Sequence, residues 1–199
     1  MTLNQIKALG NLLQYYHSDL TYIRDFQRYK HGKIDTTEYL KKSKGSFKSF
    51  INEFRVARNI EKTKTHTLLN LTTDWITNKN SNDIDKFAAL LKAKGITHGK
   101  VMTSLASKIL FLNNPWKILP IDNLTKRAVG LKNNNYAEYL PLTKEFNKEN
   151  KSDIDYCLAS VEQHVNIIEA EFKKEIREIE KIRYNRFVDK LLWTIGQRP

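Results

Sequence analysis

Cysteine is almost missing from this chain: Cys157 stands alone among 199 residues. One thiol excludes an intramolecular disulfide, a cysteine-based zinc finger and a four-cysteine iron–sulfur cluster, and it fits a reducing compartment. Glycine and proline are scarce as well, at seven and four residues, and alternating β-branched runs are few. That scarcity of breakers and strand formers predicts helices almost throughout. No stretch approaches the ~20 apolar residues of a membrane span. Met1 to Gly10 also lacks a charged-then-apolar leader pattern. A cytoplasmic protein with no membrane partner is therefore expected. The five histidines include no pair at i and i+4, so neither a metal nor another cofactor is expected.

Acidic residues are outnumbered, 22 against 34 lysines and arginines, which leaves a net charge of +12. Such an excess favours nucleic acid or another polyanion over a neutral small molecule as the partner. A chain of this length suits one core. The expected fold class is all-α: a compact single unit over residues 1–199, with an N-terminal helical lobe (1–78), a helix-hairpin-helix-like lobe (83–130) and a long C-terminal helical segment (152–196).

Helical spacing places Ile6, Leu9, Leu13, Tyr16, Leu20, Ile23 and Phe26 on one face of a first helix, about Leu3 to Tyr29. Asp35-Thr36-Thr37-Glu38 has capping-box spacing and opens a helix carrying Tyr39 and Leu40. Gly45 breaks it, and Phe47, Phe50, Ile51, Phe54, Ala57 and Ile60 continue a helical face, with Lys48, Arg55 and Arg58 toward solvent. A short helix follows over Leu68, Leu71, Trp75 and Ile76. After a polar loop at Asn78–Asn82, Asn82-Asp83 caps a helix from Ile84 to Lys94. Gly95-Ile96-Thr97-His98-Gly99 then makes a two-glycine turn into a helix over Val101–Leu112. Pro115-Trp116 and Leu119-Pro120-Ile121 lead to Asp122 at the start of a basic helix, since Pro120 keeps the backbone extended before it.

Beyond a helix over Tyr136–Asn147, Ser152-Asp153-Ile154-Asp155 reads as another capping box opening a tract that reaches Ile195. Val161, Val165, Ile168, Phe172, Ile176 and Ile179 form either a core-facing stripe or a seam for a weak homodimer. The apolar Phe187–Trp193 segment is expected to dock on the core, as is Trp75.

The glycine turn, the Ser104-Leu105-Ala106 helix and the Pro120-Ile121-Asp122 helix start together resemble the helix-hairpin-helix DNA glycosylase superfamily of base-excision repair, over about Leu90 to Val129. In that family hairpin amides hold a DNA phosphate and an Asp at a later helix start lies beside the flipped nucleotide. Ser104 stands about 18 residues before Asp122, where bifunctional members place a nucleophilic lysine, so the resemblance implies the monofunctional kind. It implies a DNA-binding hydrolase in which Asp122 stabilises an oxocarbenium-like sugar and orients water. Ser104, Ser107 and Trp116 would line a base pocket. The amides of Gly95 and Gly99, with Lys100, Lys126 and Arg127, would hold the backbone of double-stranded DNA.

Each of these residues also has a simpler role. Asp122 is a helix N-cap, Ser104 and Ser107 are small packing residues, and Trp116 plugs the core. Lys126, Arg127 and Lys132 form a solvated helix face, and His98 is a turn residue. Two other functions stay open: a non-catalytic nucleic-acid-binding module on the same scaffold, and an interaction protein that dimerises through Val161–Ile179.

Overall fold

A computed structural model describes residues 1–61, 63–79 and 82–197. Among the described residues the chain is all-α, as expected, with no strand. The helices are α1 (Leu3–Lys30), α2 (Thr36–Tyr39), α3 (Phe47–Glu53), α4 (Thr65–Asp74), α5 (Ile84–Ala93) and α6 (Thr103–Asn113), then α7 (Asn123–Ala128), α8 (Tyr136–Glu149), α9 (Lys151–Ser160), α10 (Glu162–Ala170) and α11 (Ile179–Ile195). No helix among the described residues is long and apolar enough to cross a membrane.

The chain divides into two units, Met1–Leu20 with Leu119–Pro199, and Thr21–Ile118. The first break, between Leu20 and Thr21, falls inside α1. Leu9, Tyr16, Leu20, Ile23 and Phe26 of α1 are buried as expected, and the face departs from expectation only near its start. Leu12 is buried where Leu13 was expected, and Ile6 is 53% exposed.

Within Thr21–Ile118 the local signals explain the short elements. Asp35 caps α2 by accepting from the Glu38 amide, and Ser46 caps α3 by accepting from the Ser49 amide. Between them Gly45 turns the chain at φ +82°. The side chains of Phe26, Tyr39, Phe47 and Phe50 are buried, with the Tyr29 and Tyr39 rings stacked at 4.7 Å and Phe50 and Phe54 centred 4.4 Å apart. The apolar face expected to run on to Ile60 is interrupted. α3 ends at Glu53, Arg55 adopts φ +55°, and burial passes to Val56 and Ile60.

α4 runs into a π-helical turn at Trp75–Lys79, where Trp75, half-buried, packs on Phe87 at 5.4 Å. Of the loop expected at Asn78–Asn82, Asn80 and Ser81 lie outside the described residues. Asp83 caps α5 as expected, and its bond from the Lys86 amide holds its carboxyl below the usual carboxylate range. α5 packs on α6. Leu105, Ala106, Ile109, Leu110, Phe111 and Leu112 of α6 are all buried, as befits a helix apolar on most sides.

In the other unit, α7 and α9 pack against α11. The capping box expected at Ser152 does not form: α9 starts at Lys151 with no side-chain cap, so Ser152 and Asp153 are already helical. The tract toward Ile195 is divided at Val161 and again between Ala170 and Ile179, where Glu178 has φ +51°, before the C-terminal α11. Val165, Phe172, Ile176 and Ile179 are buried inside the chain. That burial makes the stripe core-facing and leaves no continuous exposed seam. Phe187, Val188, Leu191 and Leu192 dock on the core, but Trp193 is 37% exposed.

Buried charge sits between the helices of this unit. Arg186, 2% exposed, donates Nε to Asp19 at 2.8 Å and NH1 to Asp189 at 3.0 Å. Glu169, fully buried, accepts from the Tyr16 hydroxyl at 2.8 Å and from the Arg183 guanidinium through both of its oxygens.

Candidate nucleic-acid interface

Gly95 and Gly99 adopt φ +65° and +70°, which is what the turn requires of glycine. The Gly95 amide donates to Lys92 O and the Ile96 amide to Leu91 O, closing the C-terminus of α5 in a Schellman arrangement. Lys100 N donates to Thr97 O at 2.7 Å, and Glu61 N pins Ile96 O at 3.0 Å. The Gly95, Ile96 and Lys100 amides are thus spent within the chain. Facing solvent are His98, Gly99 and Lys100, with Lys92 and Lys94 just before the turn. His98 has φ +30° and sets Nδ1 at 3.9 Å from a Glu61 carboxylate oxygen, as a turn residue would.

On α6 the two serines differ. Ser107 is fully buried and donates its hydroxyl to Ser104 O at 3.1 Å, whereas Ser104 is half-buried. Trp116 is also half-buried. Lys108 donates Nζ to Phe54 O at 3.2 Å.

Asp122 forms the N-cap of α7 with a full capping box. Oδ1 accepts from the Leu124 and Thr125 amides at 2.9 Å, and the Asp122 amide donates to the Thr125 hydroxyl at 2.9 Å. Oδ2 accepts no hydrogen bond among the described residues. The approach to this cap is clamped by Tyr136, whose hydroxyl accepts from Leu119 N and donates to Leu119 O, both at 3.1 Å, and by Tyr139, which donates to Pro120 O at 3.4 Å. Burial pushes the Asp189 carboxyl above the usual range; Arg186 and Lys190 pull it back, while Asp122 and Asp19 push it further up.

Lys126 and Arg127 are each held by hydrogen bonds within the chain. Lys126 donates Nζ to Lys132 O and to Asn134 Oδ1, and Arg127 donates to Gly196 O at 3.2 Å. Of the residues expected at the site, Gly95, Gly99, Lys100, Ser104, Ser107 and Trp116 belong to the Thr21–Ile118 unit. Asp122, Lys126 and Arg127 belong to the other.

Division into units also sorts the charge. Thr21–Ile118 carries 19 lysines and arginines against 8 acidic residues, a net +11, while the other unit carries 15 against 14, a net +1. The densest basic stretch is Lys41, Lys42, Lys44 and Lys48, of which only Lys48 was expected at the surface; charge counted by segment marks the cluster. Comparison of the chain with family models, curated proteins and solved structures finds no match.

Proposed function

We propose that this chain binds the sugar–phosphate backbone of nucleic acid, double-stranded DNA in the first place, through the Thr21–Ile118 unit. The observation that carries this reading is the charge division, +11 against +1. Lysines and arginines set against a duplex release condensed counterions, a driving force that needs no base-specific contact. The exposed Lys92, Lys94 and Lys100 beside the glycine turn supply further positive charge. Tests use the full chain with a fluorescently labelled 20-base-pair duplex. Anisotropy should report binding at 50 mM salt that weakens at least ~1,000-fold by 200 mM, the range for six or more phosphate contacts. Absence of binding at 50 mM overturns the reading.

A second reading, excision of a modified or mispaired base, rests on Asp122. Its Oδ1 is fixed by two amides while Oδ2 accepts no hydrogen bond among the described residues. A carboxylate held in this way can stabilise the positive charge that develops on the sugar as the C1′–N bond breaks, and can orient the attacking water. Release of free base from a panel of modified duplexes, lost on Asp122→Asn with binding retained, is the expected result. Binding without release from any substrate leaves a non-catalytic module.

A further inference from the structure

We infer that the segment Lys41–Lys48, between α2 and α3, is the principal phosphate-contacting surface for duplex DNA, an assignment that rests on the nucleic-acid reading above. Lys41, Lys42, Lys44 and Lys48 are all exposed, and among the described residues none of the four ammonium groups has an acidic partner. No acidic residue occurs from 39 to 52. The acid that follows, Glu53, is occupied by the Tyr22 hydroxyl at 2.6 Å. By contrast, Lys173, Lys174 and Arg177 in the other unit are interleaved with Glu171, Glu175 and Glu178. Four unpaired positive charges within eight residues repel one another unless a polyanion lies against them.

The segment is held in place before any partner arrives. Gly45, Ser46 and Phe47 are buried at its centre. Ser46 N donates to Ser43 O at 3.2 Å, and the Ser46 hydroxyl caps α3. Gly45 leaves no room for a side chain because Asp25 Oδ2 lies against it. That acid does not cancel the lysines, since Arg24 Nε donates to Oδ1 at 2.9 Å and Arg28 lies 3.8 Å from it. Glu38 and Asp25, with Lys44, line a small cavity of about 80 Å³ beside the turn, and neither acid is ion-paired to Lys41, Lys42 or Lys48. A fixed loop loses little entropy on binding.

Duplex is favoured over single strand because the segment offers no exposed ring for base stacking: Tyr39, Phe47 and Phe50 are all buried. A lipid surface is disfavoured for the same reason, as no apolar side chain is available to insert.

The test compares two quadruple variants of the full chain with equal net charge: Lys41→Ala/Lys42→Ala/Lys44→Ala/Lys48→Ala, and Lys144→Ala/Lys148→Ala/Lys173→Ala/Lys174→Ala. All eight lysines are exposed, and far-UV circular dichroism checks that each variant folds. The first should bind the 20-base-pair duplex at least tenfold more weakly at 100 mM salt, with a log K against log salt slope shallower by about 3–4. The second should stay within about threefold of wild type. Equal losses in both variants, or wild-type affinity in the first, overturn the surface. Loss of binding to anionic phospholipid vesicles with duplex affinity intact also overturns it. A wild-type chain that binds no duplex overturns the function reading and the surface together, whereas a binding wild type matched by the first variant overturns the surface alone.

Discussion

Asp25 Oδ2 lies against the backbone of Gly45, so closely that any side chain at residue 45 meets the carboxylate. Gly45 also sits at φ +82°, a conformation that L side chains rarely adopt. One contact thus joins α1 to the start of the Lys41–Lys48 surface, and the acid involved is neutralised on its other side by Arg24. The turn's geometry and its charge are set by the same pair.

Gly45→Ala combines backbone strain with a collision, and should destabilise the chain by about 2 kcal/mol or more. Gly10 is the opposite case, since it lies within α1 with nothing within 4 Å of an added Cβ. Gly10→Ala should therefore stabilise by roughly 0.5–1 kcal/mol. Urea denaturation of both variants checks the contrast; equal effects would refute the role given to Asp25.

Asp122 can be dissected by its cap. Asparagine caps helices about as well as aspartate, so Asp122→Asn should leave stability almost unchanged while Asp122→Ala loses roughly 1 kcal/mol. Thermal melts of the two variants decide this. If Asp122→Asn melts like Asp122→Ala, loss of base release in the asparagine variant no longer speaks to chemistry.

Arg186 lies between two carboxylates, Asp19 and Asp189. Arg186→Met strips both of their countercharge and should cost about 3–5 kcal/mol. Burial raises the Asp189 carboxyl in the folded chain, so the unfolded chain gives up this proton at lower pH, near 4. The folded state then binds more protons than the unfolded one, and this group's contribution to stability falls as pH rises from about 4 through the folded pKa. Asp189→Asn removes that titration. Denaturation at pH 4, 6 and 8 should show wild type losing ground to the variant as pH rises, and a constant difference would count against the buried charge as described.

Two buried tyrosines should respond differently to loss of the hydroxyl. Tyr39 keeps its OH buried with no partner, so Tyr39→Phe should be neutral or stabilising. Tyr16 donates to the buried Glu169, and Tyr16→Phe should cost roughly 1–3 kcal/mol. The midpoint of chemical denaturation for each variant is sufficient.

Local chemistry was readable from the chain. Asp35, Asp83 and Asp122 were each expected at a helix start, and each caps its helix. Gly95 and Gly99 were expected to make a turn, and both sit in one at positive φ. What failed depended on long-range geometry. The break between Ala170 and Ile179 was hidden because Phe172 and Ile176 keep helical spacing while the backbone leaves the helix. Trp193 was expected in the core with the rest of the apolar Phe187–Trp193 segment, yet its position on α11 leaves it partly exposed beside buried Leu191 and Leu192. The bond that holds Arg127 was invisible because it reaches Gly196, far along the chain. The basic character of Thr21–Ile118 was present in the residues all along, but a whole-chain charge of +12 averaged it away.

The proposed binding of duplex DNA by Thr21–Ile118 depends on where the duplex touches the chain. Its most direct measurement is an amide NMR titration of the ¹⁵N-labelled full chain with an unlabelled duplex. Shifts that saturate together and concentrate in Thr21–Ile118, with the largest at residues 41–48, are expected. Shifts confined to residues 119–197, or none at low salt, would contradict it.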